Sequence, residues 1–227
     1  MENIKVLYED NHLLAVNKPA GWLVQGDETG DLTLSDWAKE YIKVRYHKPG
    51  AVFLGVIHRL DRPVSGVVVF ARTSKALTRM NELFRERKIE KTYLTITDQR
   101  PSPLEGKLTH YILKDRSRNI AKAYDQLSRR NEGAKKSTLE YKFVGQIGTH
   151  ILLEVKPHTG RPHQIRVQLS KLGCSIRGDL KYGYKTPNED SCIHLHCQSL
   201  SFIHPVKKVP VFIEAETPED QIWDLFR

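Results

Sequence analysis

Cysteine is scarce in this 227-residue chain, which has only Cys174, Cys192 and Cys197. An odd, sparse set excludes a disulfide scaffold and suits a reducing cytoplasm. Long apolar runs are missing: none approaches the roughly 18 residues of a membrane-spanning helix. The start, Met1-Glu2-Asn3-Ile4-Lys5, has no signal-peptide pattern. There is no Gly-rich phosphate loop with a following lysine, no G-x-S-x-G elbow and no C-x-x-C pair. No familiar cofactor-binding loop remains, and no repeat, low-complexity tract or long linker interrupts the chain.

Acidic residues are also in deficit. Lysine and arginine number 36 against 27 aspartates and glutamates, a formal charge of +9. That excess favours a polyanionic partner such as nucleic acid, because neutralised phosphates release counterions. An acidic membrane surface or an unspecific surface charge is the alternative. Hydrophobic residues at 39% and charged residues at 28% give an ordinary globular balance. The length suffices for a full core.

The strongest local feature is His58-Arg59-Leu60-Asp61-Arg62-Pro63-Val64-Ser65-Gly66. It separates two apolar runs, Ala51 to Ile57 and Gly66 to Ala71, which read as buried strands. One acid lies where the chain leaves the core, flanked by arginines that can hold it ionised. Pro63 stiffens the connection and Gly66 permits a turn closed to other residues. The same residues also suit a plain salt-bridged turn.

Around this loop the periodicities predict a sheet with a few helices. Ile4 to Tyr8 and His12 to Asn17 read as strands joined at Asp10-Asn11. Thr33-Leu34-Ser35-Asp36 offers an N-cap with an acid three residues on, for a helix to about Tyr46. Thr73 caps a second helix through about Lys88, with Leu77, Met80 and Phe84 as its apolar stripe and a basic opposite face. Strands follow over 91–97, near 107–114, 120–125 and 137–145, and over 149–156. A helix over about 163–172 ends at Gly173. Paired strands over 193–203 and 209–216 surround Pro205. A short helix capped at Thr217, with Pro218 at its first position, closes the chain. This order argues for one α+β domain, 1–227, on a mixed, mostly antiparallel central sheet flanked by helices and loops.

Three stretches can carry chemistry. The Asp61 loop is the first. Lys91-Thr92-Tyr93-Leu94 sets an aromatic after a basic helix end; taken alone, Tyr93 is an ordinary strand aromatic. Thr159-Gly160-Arg161-Pro162-His163-Gln164-Ile165-Arg166 gathers donors at a helix N-terminus, which suits an anion. A fourth stretch, 114–136, carries eight basic side chains against Asp115, Asp125 and Glu132. It reads as a solvated face or as nucleic-acid contact. His194, His196, Cys197 and His204 match no zinc spacing and read as strand histidines, with no metal site.

Taken together, His58-Arg59-Leu60-Asp61-x-x-x-Ser65-Gly66, Lys91-x-Tyr93 and Gly160-Arg161-x-His163-Gln164-Ile165-Arg166 resemble the RluA-type pseudouridine synthases in identity, order and spacing. Val16-Asn17-Lys18-Pro19-x-Gly21, Gly178-Asp179-x-x-Tyr182-Gly183, Leu195-His196-Cys197 and His204-Pro205 extend the resemblance over about residues 4 to 216. Many members of that family carry an N-terminal S4-type RNA-binding domain. This sequence starts at the catalytic domain, so RNA contact is expected from that domain or from a partner.

The resemblance implies an enzyme that isomerises uridine in ribosomal or transfer RNA to pseudouridine, without cofactor or metal. It implies a cytoplasmic monomer with no membrane partner. By resemblance Asp61 is the catalytic carboxylate, Arg166 its basic partner and a likelier charge partner than Arg62, and Tyr93 the ring that stacks on the target base. Arg59 fills the space of the flipped base. Arg161, His163 and Gln164 are expected to shape the pocket or hold phosphate, and Arg62, Arg129, Arg130, Lys135 and Lys136 to bind RNA. A non-catalytic RNA-binding module on the same fold is the competing reading, and a histidine-based hydrolase the third. The first would lack Asp61, Tyr93 or Arg166, all of which are present.

Overall fold

The structure, a computed structural model, describes residues 4–28, 30–115 and 117–227. Met1 to Asn3, and Arg116 of the basic run, lie outside the described residues. The chain divides into two compact units: Met1–Glu90 with Cys197–Thr217, and Lys91–His196 with Pro218–Arg227.

In the first unit, β1 (Val6–Glu9) and β2 (Leu13–Lys18) form a hairpin. Its turn forms because the Asp10 carboxylate accepts from the His12 and Leu13 amides, each at 2.8 Å. Helix α1 (Leu34–Arg45) begins at the expected capping box: Thr33 accepts from the Asp36 amide, and the Asp36 carboxylate reaches back to the Thr33 amide. Its apolar stripe buries Leu34, Trp37, Ala38 and Ile42.

The apolar run Ala51 to Ile57 departs from expectation. Only Gly55–Val56 is a strand, β3, while Ala51 is exposed and Phe53 is 50% exposed. The reason lies in its neighbour, β4 (Ser65–Ala71). Strand β2 fills one edge of β4 from Leu13↔Ala71 to Lys18↔Gly66. The opposite edge is shared between β10 (Leu195–Ile203) and β3, which gets only Ala71 and Phe70. β4 itself is buried at every residue, as its unbroken apolar run requires of a central strand. Helix α2 (Ser74–Arg85) is capped by Thr73 and rests Leu77 against Gly55. β11 (Pro210–Glu214) pairs antiparallel with β10.

In the second unit, β5 (Glu90–Thr97), β9 (His150–Pro157), β8 (Lys135–Ile147), β6 (Glu105–Asp115) and β7 (Ile120–Tyr124) lie in that order, every pair antiparallel. Helix α3 (Gln164–Lys171) covers β6 and β7, where Ile112, Ala121, Val167 and Tyr182 form one buried cluster. A left-handed Gly173 follows its end, as expected. Ile96, Leu152 and Trp223 form a second cluster beneath α4 (Gln221–Asp224).

The cap of α4 is Asp220, not Thr217. The Asp220 carboxylate accepts from the Ile222 and Trp223 amides and lies 3.0 Å from His194 Nε2. A carboxylate anchored by both an amide pair and an imidazole wins the cap over a hydroxyl three residues upstream. The His194 and His196 rings both lie against Trp223. Strands interspersed with short helices make the fold α+β.

Candidate active site

The first unit carries the Asp61 loop, and its backbone is held from beneath by a lysine. Lys18 ends β2 and is fully buried. Its ammonium donates to the carbonyls of Pro19 at 2.9 Å, Arg62 at 3.1 Å and Val64 at 2.6 Å. An ammonium has three N–H donors, and three carbonyls here receive them. The loop closes on itself where the Val64 amide donates to the Asp61 carbonyl at 3.0 Å, and the Gly21 amide donates to the Arg62 carbonyl at 2.9 Å. The main chain from Asp61 to Val64 is thus pinned, and the Asp61 side chain it carries is half-buried.

The flanking residues divide into structural and outward-facing ones. His58 Nε2 accepts from the Val69 amide at 3.1 Å, and its ring stacks on Phe84 at 5.1 Å, so it ties the loop to β4 and α2. Arg59 is exposed. Arg62 turns to another loop, pairing with Asp31 at 2.9 Å and donating from Nε to the Gly21 carbonyl. Gly66 has φ +116°, and a Cβ placed there would lie 2.2 Å from the Cys197 carbonyl oxygen. No other residue fits.

The second unit carries Tyr93 and the 159–166 stretch. Tyr93 is half-buried on β5, opposite Val155 of β9, and alternation puts Thr95 and Thr97 on its face. The turn before α3 is built around Gln164. Its carbonyl oxygen accepts from Thr159 Oγ1 at 2.7 Å and the Arg161 amide at 3.1 Å, while its amide donates to the Thr138 carbonyl at 3.0 Å. Gln164 is buried, and its polar atoms knit this turn to β8. His163 is buried at the N-cap with φ +54°, its Nδ1 2.7 Å from the Tyr182 hydroxyl. Arg161 is half-buried, and its Nε is enclosed without a hydrogen-bond partner among the described residues.

Arg166 is buried with only 6% of its side chain exposed, and Asp179 with 1%. Their pairing is bidentate: Nε to Oδ2 at 2.7 Å and Nη2 to Oδ1 at 2.8 Å. The guanidinium carbon sits 4.9 Å from the centre of the Tyr182 ring. The Tyr182 hydroxyl accepts from the Ala121 amide at 2.7 Å.

The basic run is not one patch. Arg129 and Arg130 lie exposed on a short 3-10 turn, Arg129–Asn131. Lys135 pairs with Ile112 and Lys136 with Tyr111, so successive strand residues send these exposed lysines to opposite faces. Three residues to which the motifs gave no role also emerge: Lys18, Asp179 and Tyr182. The Asn17-Lys18-Pro19 and Gly178-Asp179-x-x-Tyr182 stretches were their signal in the sequence.

Comparison with known proteins gives the family and the fold. The RNA pseudouridylate synthase family model matches residues 12–171. Ribosomal large subunit pseudouridine synthase C of Rickettsia bellii is 32% identical over 215 residues, covering 94% of this chain and 68% of that protein. tRNA pseudouridine synthase C of Haemophilus influenzae is 32% identical over 232 residues, covering 95% and 94%. The solved structure of human RNA pseudouridylate synthase domain containing 4 superposes with a TM-score of 0.79 at 26% identity, covering 97% of this chain and 91% of that one. The motifs, the fold and these relatives agree, and the chain belongs to the RNA pseudouridylate synthase family, in its RluA-type branch, as an enzyme that isomerises uridine in RNA to pseudouridine.

Proposed function

We propose that this chain modifies uridines in structured ribosomal or transfer RNA, with Asp61 as its catalytic carboxylate. The observation that carries the assignment is the mounting of Asp61. It is a half-buried acid on a loop whose carbonyls are fixed by a fully buried lysine. A rigid main chain presenting one carboxylate suits chemistry that depends on placement.

The reaction breaks the C1′–N1 bond and forms C1′–C5. The C5 proton leaves and N1 gains one, so substrate and product are isomers and no oxidant or reductant is consumed. Asp61 acts as a carboxylate, by covalent attack on base or sugar or by taking a proton from the ribose. Tyr93 stacks on the base once it has left the helix. Arg166 supplies oriented N–H donors to the carboxylate chemistry. Arg59, exposed beside Asp61, takes the place of the extruded base, where its planar guanidinium can stack. Arg62 and His163 hold the surrounding loops, and Gln164 fixes the turn that presents Arg161 to phosphate. Arg129, Arg130, Lys135 and Lys136 meet the RNA backbone farther out.

We infer further that residues 1–227 act as one catalytic domain, as a monomer, in the cytoplasm, without metal or cofactor. Both RNA classes are supported by relatives, whose names state ribosomal large subunit and tRNA activity respectively. Mapping pseudouridine in total RNA from cells with and without this protein tests the reading. Loss of discrete sites in ribosomal or transfer RNA is expected, and an unchanged map overturns it.

A further inference from the structure

At the end of the first unit away from Asp61, a basic turn stands beside exposed apolar side chains, and the chemistry proposed above leaves it without a role. The strand register gives the separation. Strands β2 and β4 pair from Lys18↔Gly66, beside the Asp61 loop, to Leu13↔Ala71, five steps that span about 17 Å. The Asp10 turn lies just beyond Leu13, and it holds the turn 204–209. The Asp10 carboxylate is 3.0 Å from His204 Nε2 and 2.8 Å from Lys207 Nζ. The buried His204 ring shapes that turn, its Nδ1 accepting from the Val206 amide at 3.1 Å and the Lys207 amide at 2.9 Å. Helix α2 joins it where Arg79 Nη1 donates to the Pro205 carbonyl at 3.2 Å. Lys75, four residues earlier, shares the Arg79 face of the helix.

Two features separate this surface from an ordinary solvated face. The first is charge. Lys75, Lys207 and Lys208 are exposed around the half-buried Arg79. The nearby carboxylates are committed: Asp10 as above, Glu9 to Arg45 and Arg72, Glu82 to Arg85, and Glu86 to Lys88. The second is an outward aromatic. On β11, Val211 and Ile213 are buried, which turns Phe212 outward at 64% exposure, opposite Ser201. Ile203, paired with Pro210 on the same face, is exposed too, as is Val209 beside Lys208. Cations next to an exposed ring are the parts of a single-stranded nucleic-acid site: the cations follow phosphates and the ring gives a base its platform.

We propose that this surface binds a single-stranded segment of the substrate RNA that flanks the modified uridine, with Lys75, Arg79 and Lys208 on phosphates and Phe212 under an unpaired base. The inference rests on the reading that this chain acts on structured RNA. A nucleic-acid strand in a helix carries a phosphate about every 3.4 Å of axis. RNA engaged at Asp61 therefore reaches this turn about five or more nucleotides away. The surface adds affinity and favours RNAs with an unpaired flank, without touching the reacting atoms.

Lysine footprinting on the intact chain tests this without any substitution. Exposed lysines are acetylated with and without saturating unmodified large-subunit rRNA transcript or total tRNA, and read by mass spectrometry. Protection of Lys75 and Lys208 beyond the mean of the other exposed lysines is expected. Unchanged reactivity of both overturns the proposal, as does protection by phosphatidylserine vesicles but not by RNA. Variants then separate the two contacts. Lys75→Gln, Arg79→Gln and Lys208→Gln together should weaken RNA binding roughly 10- to 100-fold at 0.1 M salt and flatten the slope of log affinity against log salt by about 2–3. Phe212→Ala should weaken it about fivefold or more at an unchanged slope, because an uncharged stack releases no counterion. Tritium release from C5-labelled RNA should show KM rising in step while kcat stays within about twofold. Wild-type affinity in both variants, or a loss confined to kcat, overturns the proposal. If Asp61→Asn keeps full turnover while the footprint appears, the catalytic reading of the previous subsection fails and this surface stands. If turnover depends on Asp61 and no footprint appears, only this surface fails.

Discussion

Lys18→Met removes the ammonium beneath the Asp61 loop and keeps most of the side-chain volume. Three hydrogen bonds vanish, to the carbonyls of Pro19, Arg62 and Val64. Bonds from a charged donor contribute about 1.5–3 kcal/mol each, a gross loss of about 5–9 kcal/mol. Burying an ammonium costs several kcal/mol in the wild type, and that cost disappears too. The net destabilisation is about 2–4 kcal/mol, large against a typical total of about 5–15 kcal/mol yet compatible with a folded chain. For a chain of this size each kcal/mol moves the melting temperature by about 2–4 °C, so a fall of roughly 4–16 °C is expected. Activity should fall further than the folded fraction does. With the Arg62 and Val64 carbonyls released, Asp61 loses its fixed mounting, and kcat drops about 100-fold at temperatures where the variant is fully folded. Thermal melting by circular dichroism and tritium release from C5-labelled RNA read the two effects separately. Wild-type kcat in the folded variant refutes the claim that Lys18 places the catalytic loop.

Other expectations follow from single features. Gly66→Ala puts a methyl group 2.2 Å from the Cys197 carbonyl. Chemical denaturation should show a loss above about 3 kcal/mol, and a loss below about 1 kcal/mol would mean that β4 and β10 yield there. Replacing Arg129 and Arg130 by glutamine should weaken RNA binding and flatten the slope of log affinity against log salt by about 0.7–0.9 per lost phosphate contact. An unchanged slope makes them solvated surface. Stability should decline in mild acid. Burial pushes the imidazoles of His194, His204 and His110 below their ordinary value of 6.5, opposed by Asp220, Asp10 and Asp125 respectively. The unfolded chain therefore takes up protons that the folded chain refuses, and stability is lost as pH falls below 6.5 toward the folded values. Asp220 adds to the decline at lower pH. Burial raises its carboxyl, but His194 and the Ile222 and Trp223 amides outweigh this and hold it below 3.8. Melting temperatures between pH 7 and pH 5 check this, and a rise on acidification contradicts it.

What was legible in the sequence was what depends on neighbours along the chain. The Thr33–Asp36 box, the Thr73 cap, the apolar run of β4 and Gly173 behind α3 are local signals, and each stands where it was expected. What failed depends on partners far away. The run 51–57 is as apolar as β4, but the number of free edges on β4 decided that only two of its residues pair. Thr217 is a good cap by composition, but His194 and two amides converge on Asp220 instead. The same division holds in the site. Asp61, Tyr93 and Arg166 stand out as motifs, whereas the work of Lys18 and Gln164 shows only in the carbonyls that receive their hydrogen bonds, and that of Asp179 and Tyr182 in the donors they accept from. Lys135 and Lys136 look like one charge cluster until a period of two parts them.

The most direct measurement is tritium release by Asp61→Asn, with RNA binding followed in parallel. The substitution removes the carboxylate charge and leaves its size and its Lys18-fixed loop in place. Wild-type affinity for RNA with turnover reduced by more than about 1,000-fold is the predicted outcome, as for loss of a group that acts on the reacting atoms. Turnover within about tenfold of wild type contradicts the assignment of Asp61 as the catalytic carboxylate.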